Sequence, residues 1–191
     1  LFPDDEEKIS LSIRAFDEHV NLDQFEQQIN TIQVQSMTPR MFIYNRVQQA
    51  KADPQHIVLP EGRDPRILQA ASVLLSRDIV RLTILGRIEE IDRVIKQHGI
   101  QLDLDALSII HPADSPRLDE YAQIFYELRQ HKGVTPEIAH DNLMDSAYFG
   151  TMMVYTGDAD GMVSGAAHTT QHTIRPAFEF VKTKPGVSIV S

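Results

Sequence analysis

The sequence predicts an α/β fold built on an open, mainly parallel sheet, and three observations predict it. Short apolar runs at His56-Ile-Val-Leu59, Arg81-Leu-Thr-Ile-Leu85, Leu107-Ser-Ile-Ile110 and Gly161-Met-Val-Ser164 have the length and character of buried strands. Helical sequence lies between them, and this alternation calls for crossovers that return each strand parallel to the last. Helix starts share one punctuation: Thr38-Pro39, Asp64-Pro65, Ser115-Pro116 and Thr135-Pro136 each set a capping residue before a proline suited to the first helical position.

In chain order, Leu1–Glu7 is acidic and loose at its start. Ile9, Ile13 and Phe16 fall at helical spacing. Asn21 caps a second short helix with Gln24 at the capping-box position, and Leu22, Phe25, Ile29 and Ile32 line one face. These two amphipathic helices need a surface to cover: the following domain, a preceding one, or a partner chain. Gln33–Ser36 reads as a linker. Helices are expected at about 39–51, 65–76, 88–98, 116–131 and 136–145, the third ending at Gly99. Tyr148, Met152 and Tyr155 form a stripe ending at Gly157, and such a stripe is read as core. After the Gly161–Ser164 strand, Thr173 is the expected N-cap of a helix over 174–183. Arg175-Pro176 then falls in its first turn, with Ile174, Ala177, Phe178 and Val181 as the apolar face. Val187–Ser191 is a strand pattern that stops without a turn, so a continuation is expected beyond it.

A length of 191 residues and an apolar content of 42% allow one α/β domain with an appendage. Acidic residues number 27 against 18 basic, a formal charge of −9, which argues against nucleic acid as a general partner. The chain has no cysteine, which excludes disulfides, thiolate metal sites and a cysteine nucleophile within it and fits a cytoplasmic location. No apolar run reaches the ~18 residues of a membrane span, so no membrane partner is expected. The N-terminus carries no signal-peptide pattern. The first residue is Leu1, so the chain is expected to have been processed or excised from a longer one.

Chemistry concentrates in the last third. Gly165, Ala166 and Ala167 let a ligand approach the backbone, while amides at a helix start, the hydroxyls of Thr169, Thr170 and Thr173, and the cation of Arg175 together suit an anion. The same stretch also fits a strand–loop–helix with ordinary caps and a surface arginine. His168 and His172 lie four apart, but the loop around His168 and the lack of a third ligand favour hydrogen-bonding histidines over a metal site. His131, before Lys132-Gly133, fits the negative end of a helix dipole. Val58–Arg66 lacks the glycine pattern of a phosphate loop or a dinucleotide fingerprint and reads as a strand-to-helix turn, with Arg63 solvated. Arg129 and Arg175 carry rigid forks that grip phosphate oxygens, although either residue alone also fits a surface ion pair.

Three blocks then carry a resemblance in matching order and separation. They are Asp160-Gly-Met-Val-Ser-Gly-Ala-Ala-His-Thr-Thr170 with Thr173-Ile-Arg-Pro176, Val58-Leu-Pro-Glu-Gly62 with Arg66, and Tyr126-Glu-Leu-Arg-Gln-His-Lys-Gly133. From about Thr38 onward the chain resembles the phosphate acetyl/butyryltransferase family, and the residues before Ser36 resemble a segment joining a middle domain to the catalytic domain in longer members. The resemblance implies a three-layer α/β/α fold of isocitrate/isopropylmalate dehydrogenase-like kind, incomplete at the C-terminus. It divides the chain into a helical linker (1–36), a first lobe (37–183) and the start of a second lobe (184–191).

The implied reaction is reversible acetyl transfer between coenzyme A and phosphate, in acetate metabolism. Acetyl-CoA or CoA and phosphate or acetyl phosphate would be the partners, with no permanently bound cofactor and a homo-oligomeric full enzyme. Arg129 and Arg175 match arginines for substrate positioning or charge stabilisation. Arg66 matches a further family arginine, and with Ser164, Gly165, His168, Thr169, Thr170 and Thr173 it makes up the expected substrate-binding set. The family's thiol-activating aspartate and its Ser-Arg pair belong to a later Asp-Leu-Ser-Arg-Gly region. That string is absent here, so no base is transferred and the chain alone is expected to be inactive. Other readings stay open: a butyryl-transferring relative, a non-catalytic acyl-coenzyme-A-sensing domain such as those appended to malic enzymes, or an interaction module with an inherited cleft.

Overall fold

The computed structural model describes residues 6–19, 21, 24 and 38–183. The chain divides into two compact units between Asn45 and Arg46. In the first, helix α1 spans Glu6–His19, and Ile9, Ile13 and Phe16 on it are exposed. Asn21 accepts the Gln24 N–H at 3.1 Å, the cap contact expected of it. The rest of that second helix, the linker over 33–36 and the strand pattern over 187–191 lie outside the described residues. Helix α2, Pro39–Ala52, begins where Thr38 accepts the Met41 N–H at 3.2 Å.

The second unit carries the sheet. Its strands are β1 (His56–Leu59), β2 (Arg81–Leu85), β3 (Ser108–Ile110) and β4 (Gly161–Met162), in the spatial order β3-β2-β1-β4 with every pair parallel. Helix α3, Pro65–Ser76, joins β1 to β2, with Asp64 accepting the Arg66 N–H at its start. Helix α4, Ile88–His98, joins β2 to β3 and ends at Gly99 in the left-handed region. Helices α5 (Leu118–Arg129), α6 (Pro136–Leu143) and α7 (Ser146–Thr156) then carry the chain back to β4 on the other side of β1.

Strand alternation builds a core on each face. Leu59, Leu82 and Ile84 pack with Leu68 and Ala71 of α3 and Ile91 of α4. Val58 and Leu85 pack with Tyr121, Phe125, Leu143, Phe149 and Met152 from α5 to α7. Residues 147–153 of α7 are all buried, as befits a helix apolar around most of its circumference. Gly150 lets α7 close onto the sheet, because a Cβ there would stand 2.8 Å from the Met162 sulfur and 3.2 Å from Val58.

Five expectations need correction. Helix α5 starts at Leu118 rather than Pro116, because Ser115 ends a 3-10 turn and its hydroxyl accepts the Arg117 N–H at 3.2 Å. Helix α6 stops at Leu143 because Asp145 is taken as the cap of α7. Strand β4 is regular only over Gly161–Met162, with one further bond from the Val163 N–H to the Val58 carbonyl at 3.0 Å. The helix after it, α8, spans Thr170–Pro176 with Thr169 as N-cap, accepting the His172 N–H at 3.2 Å, so Pro176 sits in its last turn rather than its first. A π turn, Ala177–Val181, follows and widens the helix. Pro176 and Phe180 become the buried residues, while Phe178 and Val181, expected inward from a 3.6-residue period, are exposed. Phe180 meets Phe125, Tyr148 and Tyr155 at ring-centroid distances of 5.5, 6.4 and 6.0 Å.

Candidate functional site

The chain steps outward from β1 through β2 to β3, then restarts with β4 on the far side of β1. The loops leaving β1 and β4 therefore diverge, and the carboxyl edge of a parallel sheet opens a crevice at such a reversal. A cavity of about 470 Å³ lies at this edge, lined by Pro60–Pro65 after β1, Leu85–Arg87 after β2, His111 after β3, Asp145, Ala167 and His168 among others.

Glu61 bridges the reversal. Its Oε2 accepts the N–H groups of Gly165 and Ala166 at 3.0 and 2.9 Å, and its Oε1 those of Ala167 and His168, both at 2.7 Å. Gly165 turns the loop with a φ of 115°, which favours glycine, and so aims these successive amides at one point. Glu61 is only 5% exposed. Burial pushes its carboxyl pKa up, but the His168, Ala167, Ala166 and Gly165 amides outweigh burial and hold it below the ordinary range. The loop amides that the sequence offered to an external anion thus already serve an internal one. Glu61 was not among the expected site residues, because its partners lie 104 to 107 positions away.

Gly62 makes the close approach possible. Its N–H donates to the Leu85 carbonyl at 3.3 Å, where a side chain would collide with β2. Arg66 holds both Asp64 oxygens, at 3.0 and 2.7 Å, and donates to the Ala166 carbonyl. The β4 loop therefore gives its amides to Glu61 and a carbonyl to Arg66. Arg63 is largely exposed, 3.8 Å from Glu90.

Ser164 and Thr173 place their hydroxyls 3.3 Å apart, closing the ends of the loop–helix corner, and Thr170 is exposed at the first position of α8. The His168 and His172 rings stack with centroids 4.6 Å apart. His172 Nε2 lies 3.0 Å from each Asp145 oxygen, and because a carboxylate only accepts, this nitrogen carries the proton. His168 Nδ1 is 3.6 Å from Glu61 Oε1 and makes no hydrogen bond. Asp145 also caps α7 through the Ala147 and Tyr148 amides, at 2.9 and 3.3 Å. It lines a second cavity of about 340 Å³ with Asp141, Tyr148, Thr169, His172 and Arg175. Among the described residues no group of three or more His, Asp or Glu side chains is arranged for a metal ion, and no helix is long and apolar enough to cross a membrane.

Arg175 donates from Nε to Glu179 at 2.9 Å, and the other oxygen of Glu179 accepts the Tyr148 hydroxyl at 3.1 Å. Burial, with the charge of Glu179, pushes the Tyr148 phenol up to about 12. Arg129 ends α5, half-buried, with a buried Nε that makes no hydrogen bond. Arg175 lines the smaller of the two cavities and Arg129 lines neither.

The opposite edge of the sheet is a structural knot. Asp158 accepts from Arg117, Tyr121 and Thr156 at 2.7, 2.6 and 2.8 Å. Asp160 accepts the His56 N–H at 2.7 Å, and His56 spans from the Asp158 carbonyl (2.9 Å) to buried Thr83 (2.8 Å). These bonds fix the start of β1 against the turn into β4.

Comparison with known proteins agrees with this architecture. The profile of the phosphate acetyl/butaryl transferase family matches residues 41–191. A phosphate acetyltransferase of a Synechocystis species is 50% identical over 191 residues, all of this chain and 27% of that protein. One from Corynebacterium glutamicum is 48% identical over 155 residues, 81% of this chain and 46% of the relative. Among solved structures, a phosphotransacetylase from Streptococcus pyogenes superposes with a TM-score of 0.73 at 38% identity, covering 80% of this chain and 46% of the other. The EutD phosphotransacetylase from Staphylococcus aureus gives 0.69 at 41% identity, covering 77% and 45%. The chain thus spans between about a quarter and a half of these relatives' length. With the family profile matched over residues 41–191 and a parallel four-stranded sheet beneath it, the chain belongs to the phosphate acetyl/butyryltransferase family.

Proposed function

We propose that these residues form the first lobe of a site for reversible acetyl transfer between coenzyme A and phosphate, a phosphate acetyltransferase activity of the parent protein. The observation that carries this reading is the crevice at the strand reversal, into which the Val58–Arg66 and Ser164–Thr173 blocks of the family both fold. In the reaction the coenzyme thiolate attacks the acetyl carbon of acetyl phosphate. Electrons pass to the carbonyl oxygen, the carbon–oxygen bond to phosphate breaks, and phosphate leaves with its charge. Such a step needs cations against the phosphate and an aligned attack, and a rigid loop between two fixed strands provides alignment. Arg129 and Arg175 are assigned to substrate positioning or charge stabilisation. Arg66, Ser164, Gly165, His168, Thr169, Thr170 and Thr173 are assigned to substrate binding. A cation at Arg175 reaches a ligand phosphate by exchanging Glu179 for it, so pairing in the free protein is compatible with this role. Removal of the thiol proton is assigned to no group in these residues. On this reading the domain division at 36/37 and 183/184, a cytoplasmic location and self-association of the parent enzyme follow from the family.

The test is acetyl phosphate formation by the full-length parent carrying Arg129→Ala or Arg175→Ala, beside residues 1–191 alone. Each variant is expected to lose at least ~10-fold in kcat/KM while melting near the wild type. The 191 residues, which lack the Asp-Leu-Ser-Arg-Gly string, are expected to show no enzyme-like rate, since a missing general base alone costs ~10²–10⁴. Wild-type kinetics in both variants, or parent-like activity from the 191 residues, would overturn the assignment.

A further inference from the structure

The geometry points to Glu61 as the residue that sets the active shape of the β4 loop: an internal carboxylate held in a nest of backbone amides, positioning the loop for substrate rather than touching it. This rests on the acetyl-transfer reading for its kinetic consequence, but not for its structural one. A buried carboxylate whose two oxygens accept four consecutive N–H groups, at 2.7 to 3.0 Å, is an anion site filled by the chain itself. Its donors all belong to the loop after β4, and the acceptor stands in the loop after β1, so the bonds cross the strand reversal where the crevice opens. Without Glu61, four amides would lose their shared acceptor, and the loop would have to turn them to water. Turning them moves His168 off His172 and shifts Thr169, whose carbonyl and hydroxyl start α8 and so orient Arg175. Arg66 steadies the same loop by the Ala166 carbonyl, on the peptide that carries the Ala167 N–H, while Glu61 holds that amide and the three beside it.

The carboxylate, and not merely the volume of the side chain, is required. Glu61→Gln keeps one oxygen for two amides but sets an NH2 group against the other two, donor facing donor. Glu61→Ala empties the nest and leaves a cavity sized for a small carboxylate. Formate carries the same two oxygens, so it can refill the vacated site.

Two measurements test this. Amide hydrogen exchange is followed over residues 163–170 in the full-length parent, for wild type, Glu61→Gln and Glu61→Ala, with and without formate. Acetyl transfer is followed in the full-length parent with the same variants. Protection of the four amides is expected in the wild type, lost at two or more of them in Glu61→Gln and at all four in Glu61→Ala, and regained by Glu61→Ala in formate but not in equal chloride. In the parent, kcat is expected to fall ~10–100-fold, the scale of a misplacement of about 1 Å, and to recover partly in formate, while KM for coenzyme A changes less. Equal protection in wild type and Glu61→Gln would overturn the latch. Lost protection with unchanged kcat, or no formate rescue of either readout, would overturn the positioning role. A wild-type parent with no acetyl transfer would refute the functional reading, while the exchange result would still decide the latch.

Discussion

Gly62→Ala should destabilise the chain more than its one added methyl suggests. A Cβ at this position would stand 2.6 Å from Ile84 Cγ2 and 2.6 Å from the Leu85 carbonyl oxygen, with Ile91 Cδ1 at 3.1 Å. Ordinary carbon–oxygen contacts sit at ~3.3–3.6 Å, so something must move by about 0.7 Å or more. Ile84 and Leu85 are fully buried in the central part of the sheet, and the carbonyl is backbone, so the β1 loop has to yield. That movement breaks the Gly62 bond to Leu85 and carries Glu61 away from its four amides. Overpacking of this kind costs ~1–3 kcal/mol, and the loss of the loop bond puts Gly62→Ala at the upper end. For a chain of this size each kcal/mol lowers Tm by ~2–4 °C, so a fall of about 6–12 °C is expected. Gly99→Ala is the control: nothing lies within 4 Å of its Cβ, but its φ of +62° strains any other residue. That strain is worth ~1–2 kcal/mol and involves no displaced neighbour. Circular dichroism melts of the two variants, with amide exchange over 163–170, make the comparison. A Gly62→Ala melt within ~2 °C of wild type, or amides protected as before, would refute the steric account.

Asp145→Ala removes an N-cap and the carboxylate on which His172 rests, so a loss of ~1–2 kcal/mol is expected, read as a lower Tm with a shifted His172 ring resonance. The tyrosines make an alkaline prediction. Tyr121 and Tyr148 are both raised from 10.0 to about 12, by burial first and then by Asp158 and Glu179, so the fold keeps protons that the unfolded chain releases. Their contribution is complete below pH 10 and lost as the pH rises toward 12, and a urea-unfolding series across that window should show the decline. Tyr121→Phe should shallow the decline, and an unchanged slope would count against burial as its cause.

Much of the sheet was legible because its signals are local. The strands over 56–59 and 81–85 and the helices over 65–76 and 88–98 appear where apolar runs and caps placed them. The last helix was less legible, because Thr169 and Thr173 are equally good caps and proline is favoured in a first turn. The choice was made by packing: a π turn after Pro176 turns Phe180 inward onto Phe125, and no sequence period announces such a turn. The Arg175–Glu179 and Arg66–Asp64 pairs lie four and two positions apart, so their pairing was open to a local reading. Glu61 was not, because its worth depends on a loop more than a hundred residues later, and only the topology brings the two together.

On the acetyl-transfer reading, ligand enters the crevice at the strand reversal, between the β1 and β4 loops. Hydrogen exchange on the full-length parent, with and without coenzyme A and phosphate together, tests it most directly. Ligand is expected to slow exchange over residues 60–66 and 164–175, and to leave the opposite edge around His56 and Asp158–Asp160 unchanged. Slowing confined to that opposite edge, with no change in the two loops, would contradict the account.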